Sequence, residues 1–243
     1  MDTHWNQCRI GITGASGTFG QALTKKLRAK GAFVVGITHS SSSSENLSTT
    51  GPQEWVFWEC GKEEALQPTL ASLDILVLNH GINPQGRQSP NDLNAALTIN
   101  AFSTWKLIEQ FEQITQKKKK LSKPYEIWIN TSEAEVQPAL SPGYEISKRL
   151  IGQLISIRWS NLNQRQREKL RIRKLVFGPF QSELNPIGIM NPEFVANQTI
   201  MQAELGLNLI IVTPNPITYI VFPLNELFRS IYYLITKKLL ASN

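Results

Sequence analysis

A chain of 243 residues, 41% of them apolar, suits one large domain with a substantial core. Its formal charge of +6 would fit a nucleic-acid partner, but the basic residues gather at 117–123 and 158–174 without interleaved stacking aromatics, so both groups are read as solvated surface and nucleic acid is excluded. Cys8 and Cys60 have no histidine at ligand spacing, which excludes a zinc centre, and the opening Met1-Asp-Thr-His-Trp-Asn-Gln is no charged-then-apolar leader. No metal and a reducing, cytoplasmic setting are therefore expected.

Short β-rich runs at 9–12, 33–37, 55–58, 75–78, 126–129, 172–177 and 209–212 alternate with helical stretches. That alternation predicts a Rossmann-type, doubly wound parallel α/β sheet of about seven strands in a single domain, residues 1–215. Between the first two runs, Phe19, Ala22, Leu23 and Leu27 keep helical spacing, and Gly31 stands where a helix ends. The intervening turn reads Gly11-Ile-Thr-Gly14-Ala-Ser-Gly17-Thr-Phe-Gly20. Glycines after strand one let the backbone approach a pyrophosphate, which a helix N-terminus then stabilises. A glycine-rich turn without a ligand is the alternative.

The end of the second strand, Thr38-His39-Ser40-Ser41, offers donors and no negative charge. An acidic residue there would select NAD over NADP. The segment leans to NADP(H) with NAD(H) not excluded, since no Lys or Arg lies between Gly31 and Gly61 to meet a 2′-phosphate; a flexible serine loop is the other reading. Further on, Ser132, Tyr144 and Lys148 bring a hydroxyl, a phenol and an ammonium group into one stretch. Tyr144 and Lys148, four apart, share a helix face.

The last segment, 216–243, is too interrupted by Pro223, Asn225, Glu226 and Arg229 to read as a membrane span. As a helix beginning near Pro223 it aligns Leu224, Leu227, Phe228, Ile231 and Leu234, with Tyr232, Tyr233 and Ile235 widening the stripe and Lys237 and Lys238 following. Two roles stay open: peripheral membrane contact, or packing on the domain or on a second subunit.

Taken in order, Thr13-Gly14-Ala15-Ser16-Gly17-Thr18-Phe19-Gly20, Asn79-His80-Gly81, Asn100, Ser132 and Tyr144-x-x-x-Lys148 resemble the short-chain dehydrogenase/reductase family. The resemblance implies that Tyr144 is the general acid or base at a substrate carbonyl or alcohol oxygen, with Lys148 lowering its pKa and holding the nicotinamide ribose. It implies that Ser132 donates to the same oxygen, with Thr131 as runner-up because Ser132 lies one residue nearer to Tyr144 than is usual in the family. Asn100 would hold a water linking Lys148 to solvent. For the cofactor it implies contacts from Gly14, Ser16, Gly17, Thr18, Phe19, Gly20, Thr38, His39, Ser40, Asn79 and Gly81, and, more weakly, from Glu59, Gly178 and Ser182. His80 replaces the family's alanine and is expected to pack rather than to catalyse.

A short Pro/Gly-punctuated segment, 183–192, predicts a small lid and an open site. Asn185-Pro-Ile-Gly-Ile-Met and Ile210-Ile-Val-Thr-Pro-Asn-Pro also look similar to the dehydrogenase part of proteins that fuse a sterol-desaturase-like module to a short-chain dehydrogenase. That fainter likeness implies a lipid-like small-molecule substrate and membrane association.

The expected activity is NAD(P)-dependent interconversion of a carbonyl and an alcohol by a self-associating enzyme. Two other readings compete with it. One is a non-catalytic dinucleotide-binding regulator or redox sensor; the other is an epimerase or dehydratase of the extended branch, against which stand the roughly thirty residues after the last strand.

Overall fold

A computed structural model describes residues 5–39, 50–118 and 123–241, the last five by their backbone alone. Seven strands form one sheet: β1 (Arg9–Thr13), β2 (Phe33–Thr38), β3 (Glu54–Phe57), β4 (Ile75–Leu78), β5 (Tyr125–Ser132), β6 (Leu170–Phe177) and β7 (Leu209–Val212). Their order is β3-β2-β1-β4-β5-β6-β7 and every pairing is parallel. Central strands covered on both faces need continuous apolar runs, and Ile75-Leu-Val-Leu78 is buried throughout. The direction of winding reverses between β1 and β4, so their carboxyl ends frame the crevice where such sheets take ligands.

Helices cover both faces. On one side α1 (Thr18–Ala29) and α7 (Pro192–Glu204) bury Phe19, Leu23, Val195 and Ile200 against Ile10, Ile12 and Trp128. On the other, α2 (Gln67–Ser72), α4 (Thr104–Lys117) and α5 (Pro142–Asn161) bring Leu70, Phe111 and Ile151 onto Leu76 and Ile127. The short α3 (Pro90–Ala96) leads through π-helical turns at Leu97–Ser103 into α4, and α6 (Gln164–Lys169) precedes β6. The sequence expectation of one seven-stranded Rossmann-type domain is met.

Three readings are corrected. The first concerns length: β5 extends to Ser132, because β6 continues beside it to the pair Ser132↔Phe177. That pairing makes the serine the last residue of a strand, in a fixed orientation.

The second concerns the basic run. Arg173 and Lys174 are 0% and 1% exposed, not solvated surface. Neighbouring strand residues point to opposite faces, and a carboxylate meets each one. Arg173 donates to Glu126 at 2.7 and 2.9 Å, and Lys174 to Glu135 at 3.0 Å and Glu226 at 2.9 Å. Paired and hydrogen-bonded, such charges can be buried without the large cost of a lone one.

The third concerns the terminal helix. α8 runs Thr218–Ala241 with Pro223 inside it, so it starts five residues earlier than expected. Proline is tolerated there within the first two turns, where few intrahelical bonds are lost.

One glycine of the turn is demanded by packing. A Cβ on Gly20 would lie 2.3 Å from the Gly14 carbonyl oxygen and 2.8 Å from Ala15 Cα, both backbone atoms that cannot step aside. Gly20→Ala should therefore lower stability by about 1–3 kcal/mol, read from urea denaturation, and weaken dinucleotide binding with it. An unchanged midpoint would mean that the turn is looser than its geometry.

Candidate active site

The turn after β1 is shaped for a close backbone approach. Gly14 has φ of 64°, and a Cβ there would sit 3.0 Å from His80 Cα. Its N–H donates to Ile37 at 2.9 Å, and its carbonyl accepts from Gly17 N–H at 3.1 Å. Gly17 is the N-cap of α1, without a side-chain cap and with no acidic residue in the first turn. The positive end of the helix thus faces the crevice uncompensated by the chain's own carboxylates, an arrangement that fits a dinucleotide pyrophosphate.

Around it the expected contacts scatter. Thr18 begins α1. Phe19 is buried against Phe177, with ring centroids 4.8 Å apart, so its side chain belongs to the core and only its backbone faces the turn. Ser16 and the buried Thr38 share a hydrogen bond of 3.1 Å across the ends of β1 and β2. His39 is exposed, and Ser40 lies outside the described residues. Glu59 is exposed and pairs with Lys62 at 2.7 Å, which holds its carboxyl below the usual range. A cleft of about 720 Å³ beside the turn is lined by Ser16, Thr18, Gln21, Lys25 and Trp55. It shares no lining residue with Tyr144 or Lys148, and the reactive groups lie with the latter.

From β4, Asn79 ties this turn to the chemistry. Its backbone N–H donates to Thr13 Oγ1 at 2.9 Å, its amide to the Gly14 carbonyl at 3.3 Å, and its Oδ1 accepts from Asn130 Nδ2 at 2.7 Å. The Asn130 carbonyl in turn accepts from Lys148 Nζ at 2.9 Å. A continuous polar path therefore runs from the glycine turn to the lysine. The role of Asn130 was not anticipated: a lone asparagine in a β-run looks like a strand residue until its neighbours are known.

His80 packs, as expected. Its Nδ1 lies 2.8 Å from Thr13 Oγ1, and its ring meets Trp58 edge-on at 5.1 Å. Burial first, and Lys148 second, lower its pKa from 6.5 to about 4, so it is neutral at neutral pH. Gly81 is held by contact: a Cβ would lie 3.0 Å from Asn100 Oδ1.

Ser132, Tyr144 and Lys148 come together at the end of β5 and the start of α5. The Ser132 hydroxyl donates to the Phe177 carbonyl at 3.5 Å and accepts from Ala134 N–H at 3.2 Å, and it lies near enough to the phenol of the half-buried Tyr144 to influence its ionisation. Thr131, one residue back on the strand, turns to the other face and donates to the Leu175 carbonyl at 3.1 Å. Lys148 Nζ stands 5.6 Å from the Tyr144 ring centroid.

Burial pushes the phenol up, with Ser132 pulling it down and Glu133 adding to the rise. The Lys148 ammonium group donates to the Asn130 carbonyl and is itself lowered to about 8 by burial, against the pull of Glu135.

Asn100 sits in the π-helical turns with its amide fully engaged. Oδ1 accepts from Ile82 N–H at 2.7 Å, and Nδ2 donates to Ile82 O and Ser147 Oγ, both at 2.9 Å. The side chain therefore straps the loop after β4 to α5. Beyond β6, Gly178 is required by the close approach of Thr213 Oγ1, 2.3 Å from where a Cβ would be. Half-buried Ser182 accepts from Asn185 N–H at 3.2 Å in the short segment before α7.

Residues 10–123 match the NAD dependent epimerase/dehydratase family. Over 230 residues the chain is 40% identical to the monoglucosyldiacylglycerol epimerase of Synechocystis sp., an alignment that takes in 93% of this chain and 54% of that protein. The chain thus spans about half the length of that relative. The fold overlays a short chain dehydrogenase from Burkholderia cenocepacia in complex with NADP, with a TM-score of 0.72 at 18% identity over 86% of this chain and 89% of the other. BdcA in complex with NADPH gives 0.68 at 19% identity over 86% and 93%.

The chain thus matches an epimerase/dehydratase family over its first half and has the fold of short-chain dehydrogenases. The half-buried His80 supplies a direct check on the β1–β4 junction. Below about 6.5 the unfolded chain takes up a proton that the folded one refuses until about 4. The unfolded state therefore binds more protons in that window, and stability falls as the pH is lowered through it. Urea unfolding at pH 7 and 4.5 should show a smaller loss for His80→Gln than for the wild type; equal losses would mean that His80 is not held neutral.

Proposed function

We propose that this protein is of the short-chain dehydrogenase/reductase type and uses NAD(P)-dependent hydride transfer at a carbinol carbon, and that its reaction is the inversion of one such carbon on a sugar carried by a membrane glycolipid. The observation that carries the first part is the union of Ser132, Tyr144 and Lys148 beside an uncapped, glycine-bounded helix N-terminus. The second part is supported by the 40% identity to a protein named monoglucosyldiacylglycerol epimerase.

When bound, NAD(P) would supply reversible hydride acceptance at carbon. Gly14, Gly17 and Gly20 with the backbone of Thr18 and Phe19 would hold its pyrophosphate, and Asn79 and Gly81 would border its adenosine side. The lack of an acidic residue at the end of β2 supports NADP(H), with Ser16, Thr38 and His39 nearest to the ribose.

Tyr144 would take the proton from the reacting hydroxyl and later return it, a role that needs its phenol ionised part of the time. Ser132 would hold the same oxygen by hydrogen bonding, which stabilises the charge that develops on it. Lys148 would orient the cofactor ribose and keep positive charge near the phenolate.

Inversion would require the carbonyl to present its other face before hydride returns to the carbon. The open site expected from the short segment 183–192 would suit that. Because the oxidation is undone within one turnover, such a reaction leaves no net reduced cofactor.

Monoglucosyldiacylglycerol dispersed in detergent, incubated with this chain and catalytic NADP or NAD, should yield the inverted glycolipid without net absorbance change at the reduced-nicotinamide band. Stoichiometric reduction of the cofactor would replace inversion by simple dehydrogenation. Cofactor binding with no turnover would favour the sensor reading. Tyr144→Phe should lower turnover by about a thousandfold or more while leaving cofactor affinity nearly unchanged; retained activity would remove Tyr144 from the mechanism.

A further inference from the structure

The terminal helix α8 has its polarity reversed. In a water-soluble helix the apolar stripe faces the body of the protein and the charges face outward. In α8, Glu226 and Arg229, its only charged residues between Thr218 and Thr236, are half-buried and turned toward the protein. Glu226 Oε1 accepts from Lys174 Nζ at 2.9 Å and Ser156 Oγ at 2.8 Å, while Arg229 donates to Ser156 Oγ at 3.1 Å. At the top of the helix the buried Thr218 accepts from Gln137 at 2.7 Å and donates to Glu133 at 3.1 Å.

Outward, every exposed residue between Thr218 and Thr236 other than Ser230 is apolar or aromatic. Phe228, Ile220, Tyr232 and Leu234 are 66, 64, 64 and 61% exposed. The side of α8 that packs on its own domain is thus the one that carries the two charges, together with the buried Phe222 against Val176 and Ile211 and the half-buried Tyr233.

We infer that the outward face of α8 is a lipid-docking surface, laying the helix in the plane of a bilayer with the catalytic end of the sheet beside it. The face carries no charge and almost no polar rim, whereas a protein partner is met by an apolar centre ringed with polar groups. Tyr232 suits the headgroup level, and in the sequence Lys237 and Lys238 follow the face directly, as anionic headgroups would favour. No described helix is long and apolar enough to cross a membrane, so docking is in the plane.

The attachment reaches the chemistry. Glu133, which holds Thr218, follows Ser132 in the chain, and Lys174 links Glu226 to Glu135. A bilayer holding α8 therefore holds the serine end of the site at a set height above the lipid. The inference rests on the glycolipid reading for where the substrate comes from, and on the helix alone for the docking.

Flotation of the full chain with phosphatidylcholine vesicles, with and without an anionic lipid, tests it beside the double variant Leu227→Glu, Phe228→Glu. Both positions are exposed and outside the polar anchorage. The wild type should float, more strongly with the anionic lipid, and the variant's vesicle-bound fraction should fall about tenfold or more with melting temperature and NADPH binding unchanged.

Three results would overturn the inference: a wild type that stays unbound with both vesicle types, a variant that floats equally well, or a lipid-independent dimer that the variant dissociates, which would make a second copy the occupant. Flotation intact with no inversion of the dispersed glycolipid would instead count against the proposed reaction.

Discussion

The hydrogen bond of 2.7 Å between Asn130 and Asn79 joins the two halves of the crevice. Asn79 at the end of β4 also holds the Gly14 carbonyl, and the backbone of Asn130 on β5 holds Lys148. The parallel sheet brings both strand ends to the same edge, where neighbouring strands lie about 5 Å apart, and the amides complete the link. It ties the glycine turn to the helix that carries Tyr144 and Lys148, and the proposed hydride transfer would tolerate errors of only about an ångström between them.

A second constraint is the pair of charges buried on β6. Arg173 and Lys174 occupy opposite faces of one strand, so the same dipeptide pins both layers: Arg173 to Glu126 beneath Trp128, and Lys174 to Glu135 and Glu226 against α5 and α8. Gly152 makes room for this second cluster, since a Cβ there would fall 1.9 Å from Glu135 Oε2. The lysine cluster helps to explain how a helix with an apolar exterior stays attached to the body: ionic and hydrogen-bonded contacts join the buried Phe222, which packs against Val176 and Ile211.

Much of the fold was legible because its signals are local. Seven apolar β-runs, helical spacing between them and glycines at one turn are read without knowing any neighbour. The Ser132, Tyr144 and Lys148 group was legible for the same reason, two of its members sharing a helix turn. What misled was burial: Arg173 and Lys174 looked like surface because a basic run usually is, and only the carboxylates of Glu126, Glu135 and Glu226, contributed by distant segments, make their burial tolerable. The choice between Thr131 and Ser132 was likewise hidden, since strand alternation turns them to opposite faces once the register with β6 is fixed.

The sequence by itself determined the order of elements, the glycine turn after β1 and the candidate hydroxyl, phenol and amine, because propensity, periodicity and spacing act over a few residues. Tertiary structure alone decided how those groups are used. It raised the Tyr144 phenol by burial, spent the Asn100 amide on Ile82 and Ser147, and turned the apolar side of α8 away from the protein. Each of these depends on what a distant segment places opposite a side chain, and a linear pattern does not encode which partner that will be.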